Sequence, residues 1–209
     1  MKSSGDISSS VWLIGDSNPQ GWSKELDVAL DPKHPTRHSI WTPILNEIQG
    51  YAFSAGRRVD CSKIHIRNAI SNHRLRPSTE AEWARLEKRL CSFRERFSRS
   101  RPKLILTFGG FAFEFCRRAI ELPVENEKFK RYTSWTVKGL AKEFHERSSP
   151  PKTIVPLLHA SIARGKFLDC HEAYTSSKTG NYFSHVGKIL AERLLVHHEN
   201  EDIWHFARE

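Results

Sequence analysis

The chain has 209 residues, 38% of them hydrophobic, and its 33 Lys and Arg outnumber 24 Asp and Glu to give a formal net charge of +9. That length suits one α/β domain with a real core, or two small ones, and a positive excess spread over the chain favours a polyanionic partner, nucleic acid first, with an unselective basic surface as the plain alternative. No apolar run approaches the ~18 residues of a membrane span, and Cys61, Cys91, Cys116 and Cys170 form no C-x-x-C pair, which argues against a membrane protein, a zinc ribbon and a local disulfide framework.

The N-terminal "MKSSGDISSS" has no apolar signal core, so a cytoplasmic protein with reduced, largely buried thiols is expected. Val11 to Ile14 is a continuous apolar run, the pattern of a strand covered on both faces, and it leads straight into the polar "GDSNP". After a loop or insertion from Ser23 to Ser39, a helix is expected over Trp41 to Ile48, with Thr42 and Pro43 at its start. "KIHIRNAI", Lys63 to Ile70, reads as a second strand, with Ile64 and Ile66 at alternate positions.

"RPSTEAEW" opens the clearest helix. Thr79 with Glu82 makes a capping box, and Trp83, Leu86, Leu90, Phe93 and Phe97 recur at spacings of three and four, a stripe that reads as core packing. Leu104 to Phe108 is a third strand, and "FGGFAFEFCRRAI" carries its end through a glycine turn into another helix. A second insertion runs from Glu121 to Pro151; a fourth strand, Ile154 to Leu158, then leads into "HASIARGK". "NYFSHVGKILAERLLVHH" is a last helix burying Phe183, Val186, Ile189, Leu190 and Leu194.

Strands alternating with helices predict a three-layer α/β/α domain with a central, mainly parallel four-stranded sheet. Residues 1–209 form a single domain in this reading, with a core of about 11–197 and a C-terminal tail, 198–209, whose "ENEDIWHFARE" either docks or stays loose. In such sheets functional groups gather beyond the carboxyl ends of the strands. Three ends carry unusual chemistry: Asp16, Ser17 and Asn18 after the first strand, Asn68 on the second, and His159, Ser161, Arg164 and Lys166 after the fourth. Each has a plain structural alternative: helix caps for Asp16 and Ser17, a turn for Asn68, a satisfied core imidazole for His159. Their coincidence on three strands favours function.

These motifs resemble the uracil-DNA glycosylase superfamily. "GDSNP" is similar to its first motif, written GEAPG, GQDPY or GxNPG in different families. "IRNAISNHRLRPSTEAEW" is similar to the TNVVKCRPPGNRxPTPEE of family 4 and 5 members, "RPKLILTFGGFAFEF" to RPKVIVALGxxAA, and "HASIARG" to the closing HPSxxxR. The resemblance runs in order from about Val11 to Leu195. It departs in three places: the cluster-binding cysteine pattern of family 4 is missing, Ala160 stands where proline is usual, and the first motif has one extra residue, so either Asp16 or Asn18 occupies the catalytic position. No iron-sulfur cluster, metal or other cofactor is expected, and a monomer is.

The resemblance implies a DNA glycosylase that flips a base out of the duplex and hydrolyses its N-glycosidic bond, leaving an abasic site. Asp16 or Asn18 would hold the attacking water beside a cationic sugar, and His159 would donate to the departing base. Asn68, with Ser17, would read the base edge; an amide suits uracil in one orientation and a cytosine derivative in the other. His34, His38 or Trp22 would stack on the ring. Ile162 or Arg164 would wedge into the gap, with Ser161, Lys166, Arg74 and Arg76 on phosphates. Uracil repair is the default substrate class, and defence against phage DNA carrying hydroxymethylated or glucosylated cytosine is the alternative. A non-catalytic DNA-binding module is the competing class. A nucleotide-binding protein is disfavoured, because neither G-x-G-x-x-G nor G-x-x-x-x-G-K-[ST] occurs.

Overall fold

The structure, a computed structural model, describes residues 3–17, 42–60, 63–121, 131–148, 152–163, 169–197 and 204–206. Along the chain run β1 (Ser3–Ser4), β2 (Val11–Ser17), α1 (Thr42–Ser54), β3 (Arg57–Val59), β4 (His65–Ile70), α2 (Glu80–Trp83), α3 (Glu87–Ser100), β5 (Leu104–Phe108) and α4 (Gly110–Ile120). Then follow α5 (Val137–Ser148), β6 (Ile154–Leu157), α6 (Ala160–Ala163), α7 (Asp169–Thr175), α8 (Tyr182–His197) and β7 (Trp204–Phe206). Among the described residues no helix is long and apolar enough to cross a membrane.

The four expected strands form a parallel core in the order β4-β2-β5-β6, and β1 adds a fifth, antiparallel strand at the β4 edge. That two-residue strand has no apolar signature, which is why sequence patterning counts only four. Val11 to Gly15, and all of β5 and β6, are buried, as strands covered on both faces must be. β4 is also wholly buried although it carries His65, Arg67 and Asn68.

Right-handed crossovers place the helices. The chain steps from β2 outward to β4 through α1, then back past β2 to β5 through α2 and α3, then on to β6 through α4 and α5. Steps in opposite directions put α1 on one face and α3 and α4 on the other, giving the three-layer α/β/α architecture. α8 returns to pack along α1. Their approach is close because Gly187 has no side chain: a Cβ there would lie 2.3 Å from that of Glu47. On the opposite face Trp12 of β2 meets the edge of Phe93 at 5.7 Å, and Phe93 meets Phe115 of α4 at 5.4 Å. Trp83, Leu86, Leu90 and Phe93 are buried and Phe97 is partly so, as the helical stripe requires.

Several bounds differ from the sequence reading: the first strand runs past Ile14 to Ser17, so Asp16 and Ser17 lie on it and not after it, the second begins at His65 and the fourth ends at Leu157. The helix opening at Thr79 is broken by a 3-10 turn over Ala84–Leu86; its capping box is present, with the Glu82 carboxylate accepting from the Thr79 N–H at 3.2 Å. α1 runs on to Ser54, beyond Ile48. The insertion after Glu121 contains a 3-10 turn, Tyr132–Ser134, and all of α5. Within the C-terminal tail, β7 pairs antiparallel with β3. Of the cysteines, Cys116 is buried and Cys91 half-buried; Cys61 and the Cys170 side chain lie outside the described residues.

Candidate active site

The carboxyl ends of β2, β5 and β6 open into one cleft of about 380 Å³ lined by Asp16, Arg76, Gly109, Phe111, Tyr132 and His159, with Trp135, Val137, Leu140 and Ile162 completing an apolar wall. Asp16 arrives on the second-last residue of β2, where hydrogen bonding to β4 continues and the apolar run has ended. His159 arrives two residues beyond β6. Its carbonyl accepts from the N–H groups of Ile162 and Ala163 at 2.9 and 3.0 Å, so the imidazole stands at the entry to α6.

The turn after β5 makes room for both. Gly109 has φ 93° and ψ 165°, a conformation essentially confined to glycine, and a Cβ there would come within 3.2 Å of the His159 Cβ. Gly109 also donates its N–H to the Leu157 carbonyl at 2.8 Å, which holds the β5 and β6 ends together.

His159 is secured from behind by a relay of hydrogen bonds. The Leu158 N–H donates to the buried Tyr182 hydroxyl at 2.9 Å. Tyr182 in turn donates its N–H to His171 Nδ1 at 3.3 Å, which requires Nε2 to carry the proton and donate to the Ala163 carbonyl at 2.8 Å. One histidine on α7 thereby ties α6 to α8, on either side of the strand end that presents His159.

The electrostatics of the cleft are set by a part-buried ion pair. Arg76 Nε donates to Asp16 Oδ1 at 2.7 Å, with the Asp16 side chain 13% exposed and that of Arg76 35%. Burial pushes the Asp16 carboxyl above its usual range; the Arg76 guanidinium, then His159 and His73, pull it back. Burial holds the His159 imidazole below its ordinary value, against the attraction of Asp16, so it is neutral at neutral pH. A neutral imidazole beside a carboxylate can donate a hydrogen bond and cannot supply a full positive charge. Among the described residues no group of three or more His, Cys, Asp or Glu is arranged to hold a metal ion.

The residues singled out by sequence divide. Asp16, His159, Arg76 and Ile162 meet at the cleft. Asn68 and Ser17 do not line it. Asn68 registers with Gly15 and Ser17 with Ile70, one residue out of phase with Asp16, so the pleat sends them to the opposite face of the sheet. Arg74 is exposed, at the 3-10 turn over His73–Leu75. Ile162 is partly buried against the core and forms part of the cleft wall. Asn18, Arg164 and Lys166, the Ser161 side chain, and the candidate stacking residues Trp22, His34 and His38 lie outside the described residues.

Sequence reasoning missed the aromatic wall. Tyr132 stands edge-on to Phe111 at 5.4 Å, and the buried Trp135 donates its indole N–H to Glu114 at 2.9 Å. The signal available was "RYTSW" inside the second insertion, two aromatic residues in a polar stretch with no further apolar repeat beside them and so not assigned to any face. No protein-family model matches the chain, and no curated protein matches it.

Proposed function

We propose that the protein is a DNA glycosylase that takes a uracil or modified pyrimidine base out of the helix and hydrolyses its N-glycosidic bond, leaving an abasic site. The observation that carries this reading is the meeting of Asp16 and His159, from separate strands, in one cleft with an aromatic wall. The ordered motif resemblance and the +9 charge support it from the sequence side.

In this mechanism the flipped base lies against Tyr132 and Phe111. As the C1′–N bond breaks, its electrons pass to the base, and His159 donates a hydrogen bond to the base oxygen on which charge develops. The Asp16 carboxylate faces the cationic sugar and orients a water; the water oxygen bonds to C1′ and its proton passes to Asp16. Asn68 is not at this cleft, so ring shape and stacking, more than amide pairing, carry base recognition here. A second reading keeps the chemistry and changes the substrate to hydroxymethylated or glucosylated cytosine in phage DNA, favoured by a cleft of about 380 Å³ whose wall comes from an added segment.

The experiment is an abasic-site assay on DNA containing uracil and, separately, on DNA carrying the modified cytosines, followed by alkaline cleavage. Strand breaks in one set name the substrate class. Asp16→Ala should abolish them while leaving DNA affinity within a few fold. Full DNA binding with no breaks in any substrate would replace this reading with a non-catalytic DNA-binding module.

A further inference from the structure

Arg76 has a second part to play, beyond the phosphate contact read from its sequence context. We propose that Arg76 is the positioning residue for Asp16: its Nε–H holds Oδ1, supplies the countercharge that a secluded carboxylate needs, and leaves Oδ2 to face the water. This rests on the glycosylase reading for its last step only; the pairing of the two side chains stands independently of substrate.

Three observations carry it. The contact is a charge-assisted hydrogen bond of 2.7 Å between residues 60 apart in sequence, made inside the cleft and not on the outer surface. Arg76 reaches it from an extended residue, φ −65° and ψ 126°, that ends the 3-10 turn after β4 and donates its N–H to the His73 carbonyl at 3.1 Å, so the backbone from which the guanidinium projects is itself fixed. The groups facing Asp16 are Arg76 and His73 from that turn and His159 from beyond β6, and of these the Arg76 guanidinium exerts the strongest pull on the carboxyl. A buried carboxyl without such a partner takes up a proton and can no longer accept one from water. Through Arg76, the segment that follows β4 enters the chemistry carried by β2 and β6.

The test uses the full chain with Arg76→Gln and Arg76→Lys. Carbon-13 NMR of the aspartate carboxyls, with Asp16→Asn to identify the signal, reads the Asp16 titration without any substrate. The expected result is an upward move of its midpoint in Arg76→Gln and a partial return in Arg76→Lys. In the excision assay the same Gln variant should lose about tenfold near neutral pH and recover as pH rises, because a higher pH again ionises Asp16. An unmoved midpoint overturns the proposal. So does an activity loss equal at every pH, or one accounted for by weaker DNA binding with a smaller salt slope, which is what a phosphate contact alone would give. If the wild-type chain makes no abasic sites while the midpoint moves as stated, the glycosylase reading fails and the pairing stands.

Discussion

Gly109 decides how near β5 can bring its turn to His159. At φ 93° and ψ 165° any other residue is strained by about 1–3 kcal/mol, and the added methyl would press on the His159 Cβ at 3.2 Å. Gly109→Ala is therefore expected to lower stability by that amount and to depress excision further than stability alone explains, since the methyl moves the imidazole. Urea unfolding and single-turnover excision measured together check this; a variant with full activity would mean that His159 tolerates displacement. The residue scale is also where sequence was least informative. Asp16 and His159 were legible because each follows an apolar run and interrupts it with a chemically distinct group. The Arg76–Asp16 pair was not, because nothing in a solvated-looking "NHRLRP" says that one of its arginines turns inward. Asn68 was placed on the correct strand, two residues short of its end, but pleat parity depends on register with the neighbouring strand, which a single sequence does not contain.

At the scale of elements, α4 is anchored through Glu114, a fully buried carboxylate. It accepts from Arg118 Nε at 3.0 Å, Arg117 Nη1 at 3.3 Å and the Trp135 indole at 2.9 Å, and Arg118 continues to Glu80 of α2 at 2.7 Å while lying 4.2 Å over the Trp83 ring. Arg117 passes the network to Glu121, and Glu121 to Arg147 of α5 at 2.6 Å. Burial pushes the Glu114 carboxyl up, and Trp135 with the two arginines offsets it. Glu114→Ala leaves Arg118 the Glu80 carboxylate and Arg117 that of Glu121, and takes the acceptor from the Trp135 indole; it should cost about 2–3 kcal/mol by urea titration, with Glu114→Gln costing less. A loss under about 1 kcal/mol would show that the arginines find other partners or water. The strands and the apolar stripe of this layer were readable from periodicity; the ion-pair network was not, because charged residues at helical spacing look the same whether they face solvent or one another. It reaches the cleft through Trp135, which forms part of the wall and donates its indole N–H to Glu114.

The whole molecule carries a pH dependence built into its sheet. His65 is buried on β4 against Trp12 at 5.0 Å; burial first, and the Arg67 cation second, hold its imidazole down to about 4. It is neutral in the fold and free to take a proton at its ordinary value of 6.5 once unfolded. The stability this gives is complete above pH 6.5 and is lost as pH falls toward 4, a swing on the order of 3 kcal/mol. Asp16, raised by burial, acts with the opposite sign: its contribution is present at acid pH and is lost as pH rises through its folded value. Thermal melts between pH 7 and 4 should therefore fall, and His65→Leu should flatten that fall; an unchanged slope would assign the acid lability to other groups.

The hydrogen-bond relay behind the cleft joins the carboxyl end of the sheet to α8. The Leu158 amide opens to water only when the Tyr182 hydroxyl withdraws, and Tyr182 is the first residue of α8. Hydrogen exchange at the Leu158 amide is therefore expected to follow the opening of that helix turn, with the strand end and the layer behind it exchanging together.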